Sequence, residues 1–368
     1  MHVLITADTV GGVWTYVREL VSGLARRGVR VTLISFGNIP RNDQVAWLDG
    51  LPEVDYRATA FRLEWMQDAE TDLELSAKYV DQVVSEVKPE LLHLNQYFYG
   101  SLACDVPRLV VAHSDVVSWW HAVHGHEPPE SNWLSWYREI VSRGLYRADA
   151  VVAPSRWMLD AITRHYHRPA NGYVVHNGRS PFLFNPYVPK EDCVVSVGRL
   201  WDGGKQVSLL AEHNMPVKTY IVGSEVHPDA AYRAGFRRGS GSRVHFRGPQ
   251  CESQLSLLYA RSTMYAATSR YEPFGLAPVE AALSRCALVA NDIPTFRELW
   301  GDTAYYFNSN DGESLRAAVK HLADHPESRL DFANRAYQRA RQRFSAERMV
   351  NSYMNLYQQI AYTQSVAA

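Results

Sequence analysis

Two glutamates, Glu272 and Glu280, stand eight positions apart in the stretch SRYEPFGLAPVEAALSRCALVANDIPTFREL, residues 269–299. They enclose a turn suited to holding an anion. The preceding MYAATS reads as a short buried strand. Pro273 pushes Glu272 out of the helical region into extended geometry. Gly275 permits a tight turn, and Pro278 suits the first position of a helix that carries Val279, Ala282 and Leu283 inward. A strand, a glycine turn and a helix start direct the backbone N–H groups of Gly275, Leu276 and Ala277 into one space, which favours a phosphate or another anion. Glu280 then falls in the first helical turn. One reading is that it only complements the helix dipole, worth roughly 0.3–1 kcal/mol. A capping box is excluded, because Ala277, three positions earlier, has no hydroxyl. The other reading is chemical: a carboxylate beside a phosphate cradle accepts hydrogen bonds from sugar or ribose hydroxyls.

These residues need a framework, and the chain supplies one twice. Residues 2–7 (HVLITA) read as a buried strand, DTVGGVWT turns into the helix YVRELVSGLARRG ended by Gly28, and VRVTLISF is the next strand. This alternation marks a doubly wound parallel sheet, whose ligands bind at the carboxyl ends of strands, where Gly11 and Gly12 fall. The pair is not G-x-G-x-x-G and no acidic residue closes the second strand, so a dinucleotide site is disfavoured; a plain tight turn is the alternative. A helix over residues 70–87 is ended by Pro89. ELLHLNQ and RLVVAHS follow as strands, the second ending in His113-Ser114-Asp115, and VVSWWHAVHGHEPPESNWLSWYREIV is an aromatic loop leading into a helix. ADAVVAPS and GYVVHNG are further strands.

After SPFLFNPYVPK, with its prolines and no periodicity, the pattern restarts. CVVSVGRL is a strand with Arg199 at its end, GKQVSLLAEH a helix opened by Lys205, and VKTYIVGS and RVHFRGP are strands. ESQLSLLYARS is a helix leading to the stretch already described; TAYYFN and a helix from about Asp311 to Ala323 follow. Two further helices close the chain, the last with Ser345 as N-cap and room to cross back to the first domain. The domains expected are 1–178, completed by 346–368, and 179–345.

At 368 residues the chain is long for one core, and two domains of about 150–200 residues are expected. Hydrophobic residues make up 46% and charged residues 21%, so no large disordered part is required. The net charge of −1 lacks the basic surplus that a nucleic-acid partner asks for, although a local basic patch leaves peripheral membrane contact open. Cys104, Cys193, Cys251 and Cys286 form no CxxC pair and read as reduced core thiols of a cytoplasmic protein. MHVLITAD lacks the pattern of a signal peptide, and no apolar run is long enough to span a bilayer. His121, His124 and His126 lie close together, but their spacing matches neither a zinc finger nor H-E-x-x-H, and no metal site is expected.

Two Rossmann-like domains facing a central cleft form the α/β architecture known as GT-B. The segments VGRLWDGGK, RVHFRGPQCESQLSLLYARS, EPFGLAPVE and GDTAYYFNSND come in that order, and the chain resembles the family 4 retaining glycosyltransferases over nearly its whole length. The resemblance implies transfer of a hexose-type sugar from a nucleotide sugar to an acceptor hydroxyl with retention. A UDP-sugar is favoured as donor and a GDP-sugar is second; the acceptor is a carbohydrate or small molecule. Arg199 and Lys205 match the family's basic pair on the donor diphosphate, and a cation at a helix start, opposed to the dipole, wants an anion nearby. Glu280 matches the residue on the nucleotide ribose, Glu272 the one at the donor sugar hydroxyls, and the amides of Phe274, Gly275, Leu276 and Ala277 the loop touching sugar and phosphate. Gly11 and Gly12 match the glycine loop close to donor phosphate and acceptor, and His113 the histidine near the anomeric side of the sugar. Asn177-Gly178 matches a hinge. Trp119 and Trp120 follow no shared pattern.

No cofactor and no metal are implied, since no D-x-D stands near either glycine loop. The rival readings are another sugar-nucleotide enzyme, such as an epimerase, and a non-catalytic sugar-nucleotide-binding protein. Glu272 and Glu280 around EPFGL favour the transferase over the first, and the presence of Arg199, Lys205, Glu272 and Glu280 together argues against the second.

Overall fold

The structure, a computed structural model, describes residues 1–227 and 243–367. The chain divides into two compact units: Met1–His121 with His126–His176 and Ala346–Ala368, and Ala122–Gly125 with Asn177–Ser345.

The first unit is built on seven strands: β1 (His2–Asp8), β2 (Arg30–Phe36), β3 (Val54–Ala58), β4 (Leu91–Leu94), β5 (Arg108–Val111), β6 (Ala150–Ala153) and β7 (Gly172–Val174). All pairs are parallel and the order is β3-β2-β1-β4-β5-β6-β7. Successive side chains on a strand point to opposite faces, so each strand feeds two cores. Leu4, Leu92, Val110 and Val151 pack with Val80, Ile140 and Ile162 from the helices Glu70–Val87, Asn132–Arg147 and Arg156–His165. Val3, Ile5, Leu109 and Val152 pack on the other face with Val17 and Leu20 of the helix Gly12–Ala25.

The helix Ala346–Ala367 joins that second face through Met349, Val350, Tyr353, Leu356, Tyr357 and Ile360. Each such side chain contributes roughly 1.5–3 kcal/mol of burial, so the C-terminal helix belongs to this unit as the chain's last segment predicts. Its approach is close at Gly23, where an added Cβ would lie 2.4 Å from Val350 Cγ2.

The second unit repeats the plan with β8 (Glu191–Val197), β9 (Lys218–Val222), β10 (Val244–Phe246), β11 (Ser262–Ala267), β12 (Ala287–Asn291) and β13 (Tyr305–Phe307). These are again all parallel, in the order β10-β9-β8-β11-β12-β13. β11 and β12 are buried along their whole length, as central strands covered on both faces must be.

Both sheets are Rossmann-like. In each, the strand order reverses at one place, between β1 and β4 and between β8 and β11, and the crevice outside the carboxyl ends at such a point is where ligands bind on open α/β sheets. Several local expectations are corrected. β3 escaped the sequence reading because it is a half-exposed edge strand without an apolar run. β5 stops at Val111, two residues before His113. The first part of the aromatic loop is itself a helix, Val116–His124. Among the described residues, no helix is long and apolar enough to cross a membrane.

Candidate active site

In the second unit, the loops that follow β8 and β11 leave the sheet side by side at its reversal point. Their backbones are stitched together: Arg270 N donates to Gly204 O (2.9 Å) and Thr268 Oγ1 to Lys205 O (2.8 Å). Asp202 organises the first loop. Its Oδ1 accepts from Gly204 N at 2.8 Å, a turn the sequence signals as Asp-Gly, and its Oδ2 accepts from Arg199 Nη2 at 2.6 Å. Arg199 lies beyond the strand end, 40% exposed at its side chain and 5.1 Å from the Trp201 ring.

Lys205 does not open a helix. The only helical residues in this region are Ser208–Ala211, and Lys205 sits in the turn before them. Nor is it a lone cation: its Nζ donates to Glu272 Oε2 at 2.6 Å, with the two side chains 19% and 12% exposed. The anion that the sequence argument asked for is thus supplied by the protein itself. Ser269 Oγ donates to the same Oε2 at 2.8 Å, so the Glu272 carboxylate is fixed from two sides.

The helix after this loop spans Leu276–Leu283, with Gly275 as N-cap at φ +88°. Glycine is required there twice over. The left-handed φ strains any other residue, and an added Cβ would meet Glu272 Cγ at 3.0 Å. Pro278 is the third helical residue and Glu280 the fifth. Glu280 therefore lies beyond the first turn, which removes the dipole explanation. The N–H groups of Leu276 and Ala277, the first two helical residues, have no carbonyl within the helix to reach, and such groups attract anions. Phe274 is buried, edge-on to Phe344 at 5.3 Å, and anchors the turn from below.

Glu280 is 12% exposed and held by Arg179, whose Nε lies 2.8 Å from Glu280 Oε1. Burial raises the Glu280 carboxyl above its ordinary pKa, and the guanidinium opposes that shift. Arg179 also pairs with Glu252. Sequence reasoning missed Arg179, Asp202 and Ser269; of these only Asp202 carried a signal.

In the first unit, Gly11 is the N-cap of the helix Gly12–Ala25, at φ +83° and without a side chain to cap it, directly after β1. Asp8 Oδ1 accepts from Val10 N at 2.5 Å and shapes that turn. β4 is followed by Asn95, whose Nδ2 donates to Thr6 O (2.6 Å) and whose Oδ1 accepts from His113 Nε2 (2.7 Å). The amide orientation makes Nε2 the protonated nitrogen of His113 and leaves Nδ1 as the acceptor. Burial holds His113 down to about 3, so it stays neutral at physiological pH. Its ring meets Tyr16 edge-on at 4.7 Å. His93, also pushed down to about 3, bonds Tyr16 OH (3.1 Å) and Tyr357 OH (2.7 Å), tying the C-terminal helix to β4.

His121 lies 5.9 Å from His165, and His126 Nδ1 contacts Glu127 O at 2.8 Å. Among the described residues, no three His, Cys, Asp or Glu side chains form a group that could hold a metal ion.

Comparison with known proteins gives the family. The chain is 35% identical over 122 residues to the lipopolysaccharide core biosynthesis mannosyltransferase LpcC of Rhizobium leguminosarum bv. viciae, covering 32% of this chain and 34% of that protein. To the O-antigen chain mannosyltransferase C of Escherichia coli it is 23% identical, with 99% of both chains covered. The LpcC match thus spans about a third of its relative's length, the second nearly all. Among solved structures, HepE of Anabaena in complex with UDP-glucose superposes with a TM-score of 0.72 at 20% identity, covering 100% of both chains, and shows the shared GT-B fold. Residues 10–181 match the profile described as Glycosyltransferase Family 4, and residues 188–339 the one described as Glycosyl transferases group 1. Two consecutive profile matches, spanning both Rossmann-like units, make this chain a member of the family 4, group 1 glycosyltransferases.

Proposed function

We propose that the chain transfers a hexose-type sugar from a nucleotide sugar, a UDP-sugar in the first instance, to an acceptor hydroxyl with retention at the anomeric carbon and without a metal ion. The observation that carries this reading is the Lys205–Glu272 pair, 2.6 Å apart at the sheet reversal and beside the helix start at Gly275. A cation and the amide N–H groups of a helix start suit a leaving diphosphate, and a fixed carboxylate suits sugar hydroxyls. The mannosyltransferase names of the relatives support a hexose as the sugar, and the UDP-glucose held by HepE supports a nucleotide sugar as the donor.

In this reading the diphosphate rests against Arg199, Lys205 and the amides of Phe274 to Ala277. Lys205 has three N–H bonds and gives one to Glu272, so it can serve the carboxylate and a phosphate oxygen together. Such preorganised donors are worth about 10²–10³ in rate each as charge develops on the leaving group. Glu272 accepts from the sugar hydroxyls and Glu280 from the ribose; the parts of Gly11, Gly12 and neutral His113 in the first unit rest on the family resemblance alone. The C1–O bond to phosphate breaks, the acceptor oxygen bonds C1 on the same face, and the acceptor proton passes to the leaving phosphate oxygen. No residue need become a covalent nucleophile, and two cations with a helix start take the part a divalent metal would otherwise play.

The test is a thermal-shift screen of UDP- and GDP-hexoses, followed by turnover of the stabilising donor with sugar acceptors, with and without EDTA. Proton NMR of the product gives its anomeric configuration. The expected outcome is a retained anomer formed at the same rate after chelation. An inverted product refutes the stereochemistry, and loss of rate restored by Mg²⁺ or Mn²⁺ refutes the metal-free clamp.

A further inference from the structure

Arg179 is one of the largest fully buried side chains, 1% exposed, and it lies between two carboxylates. Its Nε is 2.8 Å from Glu280 Oε1, and its Nη2 bonds Glu252 Oε1 at the start of the helix Glu252–Arg261. The Phe184 ring lies 5.4 Å from the guanidinium carbon, and the Tyr259 hydroxyl borders Glu280. A buried guanidinium left with one carboxylate would be costly, so this one is held by several groups at once. Its backbone is equally engaged: Arg179 N donates to Phe344 O at 3.0 Å, and Arg179 and Ser345 form an isolated parallel bridge. The chain passes from one compact unit to the other at 176–177 and again at 345–346. Arg179 thus stands where the outgoing and returning segments run together, and its side chain reaches the glutamate that the proposed function puts on the ribose.

We propose that Arg179 is a positioning residue: it orients the Glu280 carboxylate for the ribose hydroxyls of the nucleotide and links that carboxylate to the paired crossing segments around Arg179 and Ser345. This rests on the reading of Glu280 as the ribose acceptor. With Oε1 engaged by the guanidinium, rotation of the carboxylate is restricted and Oε2 keeps one orientation. The fork geometry matters. A lysine in its place retains charge but presents a point donor, which cannot serve Glu280 and Glu252 from fixed directions. Glu280 left unrestrained in a buried site would lose its alignment without losing the phosphate and sugar contacts made elsewhere.

The experiment compares binding of the better stabilising nucleoside diphosphate, UDP or GDP, with its 2′,3′-dideoxy counterpart, in the full-length protein and in Arg179→Lys. In the wild type, loss of the ribose hydroxyls should weaken binding about ten- to hundred-fold, the worth of a hydrogen bond to a charged group. In Arg179→Lys that ratio should fall towards one, while affinity for the dideoxy compound stays the same. A purely structural role would instead weaken both compounds alike and preserve the ratio, which would overturn the proposal. A ratio near one in the wild type, or no binding of either diphosphate, would overturn the ribose reading of Glu280 and the inference with it. If Arg179→Lys fails to fold, Glu252→Gln supplies the second arm: it frees one branch of the guanidinium at a more exposed carboxylate and should lower the ratio in part, whereas an unchanged ratio overturns the proposal. Hydrogen exchange adds a readout independent of activity. Diphosphate binding should slow exchange at residues 177–180 and 343–346 in the wild type and not in Arg179→Lys; equal protection in both would break the link to the crossing segments.

Discussion

Lowering the pH from 7.5 to 5.0 should destabilise the first unit by an amount set by three buried groups pulling in opposite directions. His93 and His113 are both held down to about 3 from an ordinary value of 6.5, by burial and, for His93, by the charge that His113 would carry. Each is neutral in the folded protein and takes a proton on unfolding, so its stabilisation is complete above about 6.5 and is lost as pH falls below that. Over this range each loses about 2 kcal/mol, and the pair about 4 kcal/mol. Glu64 acts the other way. Its carboxyl is buried against the Tyr97 and Phe98 N–H groups (3.0 and 2.8 Å) and is raised to about 7 from 4.5, burial outweighing those two bonds. A raised carboxyl destabilises the folded state above its unfolded value, so acidification returns about 2 kcal/mol. The net expectation is a loss of about 2 kcal/mol in the wild type and about 4 kcal/mol in Glu64→Gln, from which the opposing group is gone. His2 and His165, also lowered by burial, add in the same direction in both proteins and cancel in the comparison.

A two-unit chain need not unfold in one step, so urea titration should be paired with hydrogen exchange at residues 91–94 and 353–357, the strand and helix that His93 joins. The slope against pH is the readout, since the substitution also shifts baseline stability. Equal pH dependence in the two proteins, or greater stability of Glu64→Gln at pH 5.0, would refute the reasoning.

Gly275→Ala should leave a folded protein destabilised by about 1–3 kcal/mol through backbone strain, with turnover reduced about a hundred-fold as the new Cβ displaces Glu272; unchanged turnover at a lowered Tm would show that the carboxylate position does not matter. Lys205→Ala and Arg199→Ala should each cut turnover by about two orders of magnitude. Both should also lower Tm, because Lys205→Ala strips a partner from the buried Glu272 and Arg199→Ala one from the buried Asp202; near-normal rates in either would remove that residue from the clamp. Glu280→Gln should weaken binding of the nucleoside diphosphate by roughly 1.5–3 kcal/mol, and Glu272→Gln should spare it and damage turnover of the sugar donor. Isothermal titration of both variants with diphosphate and donor checks this, and the reverse pattern would exchange their roles.

The repeated strand–helix alternation, the glycine turns and the EPFGL motif between its two glutamates are written in local order, so both sheets and the position of the candidate loops were legible along the chain. Hydrophobic periodicity sets which faces are buried, and turn residues set where strands hand over to helices; both act over a few residues. The edge strand β3 was not legible, because an edge needs only hydrogen bonds from one neighbour and no apolar run. The pairings were invisible for a different reason. Lys205 and Glu272 are 67 positions apart, Arg179 and Glu280 are 101, and His93 and Tyr357 are 264. Each pair meets only because parallel sheet order brings the ends of distant strands, or a returning helix, to one place. A cation that local reasoning leaves wanting an anion finds a carboxylate there, and a glutamate for which the helix dipole was one of two readings sits past the first turn against a buried arginine. Residue types and spacing determine what chemistry is available. Which charges neutralise one another in a site of low dielectric, where an unpaired ion is costly, is decided by tertiary structure alone.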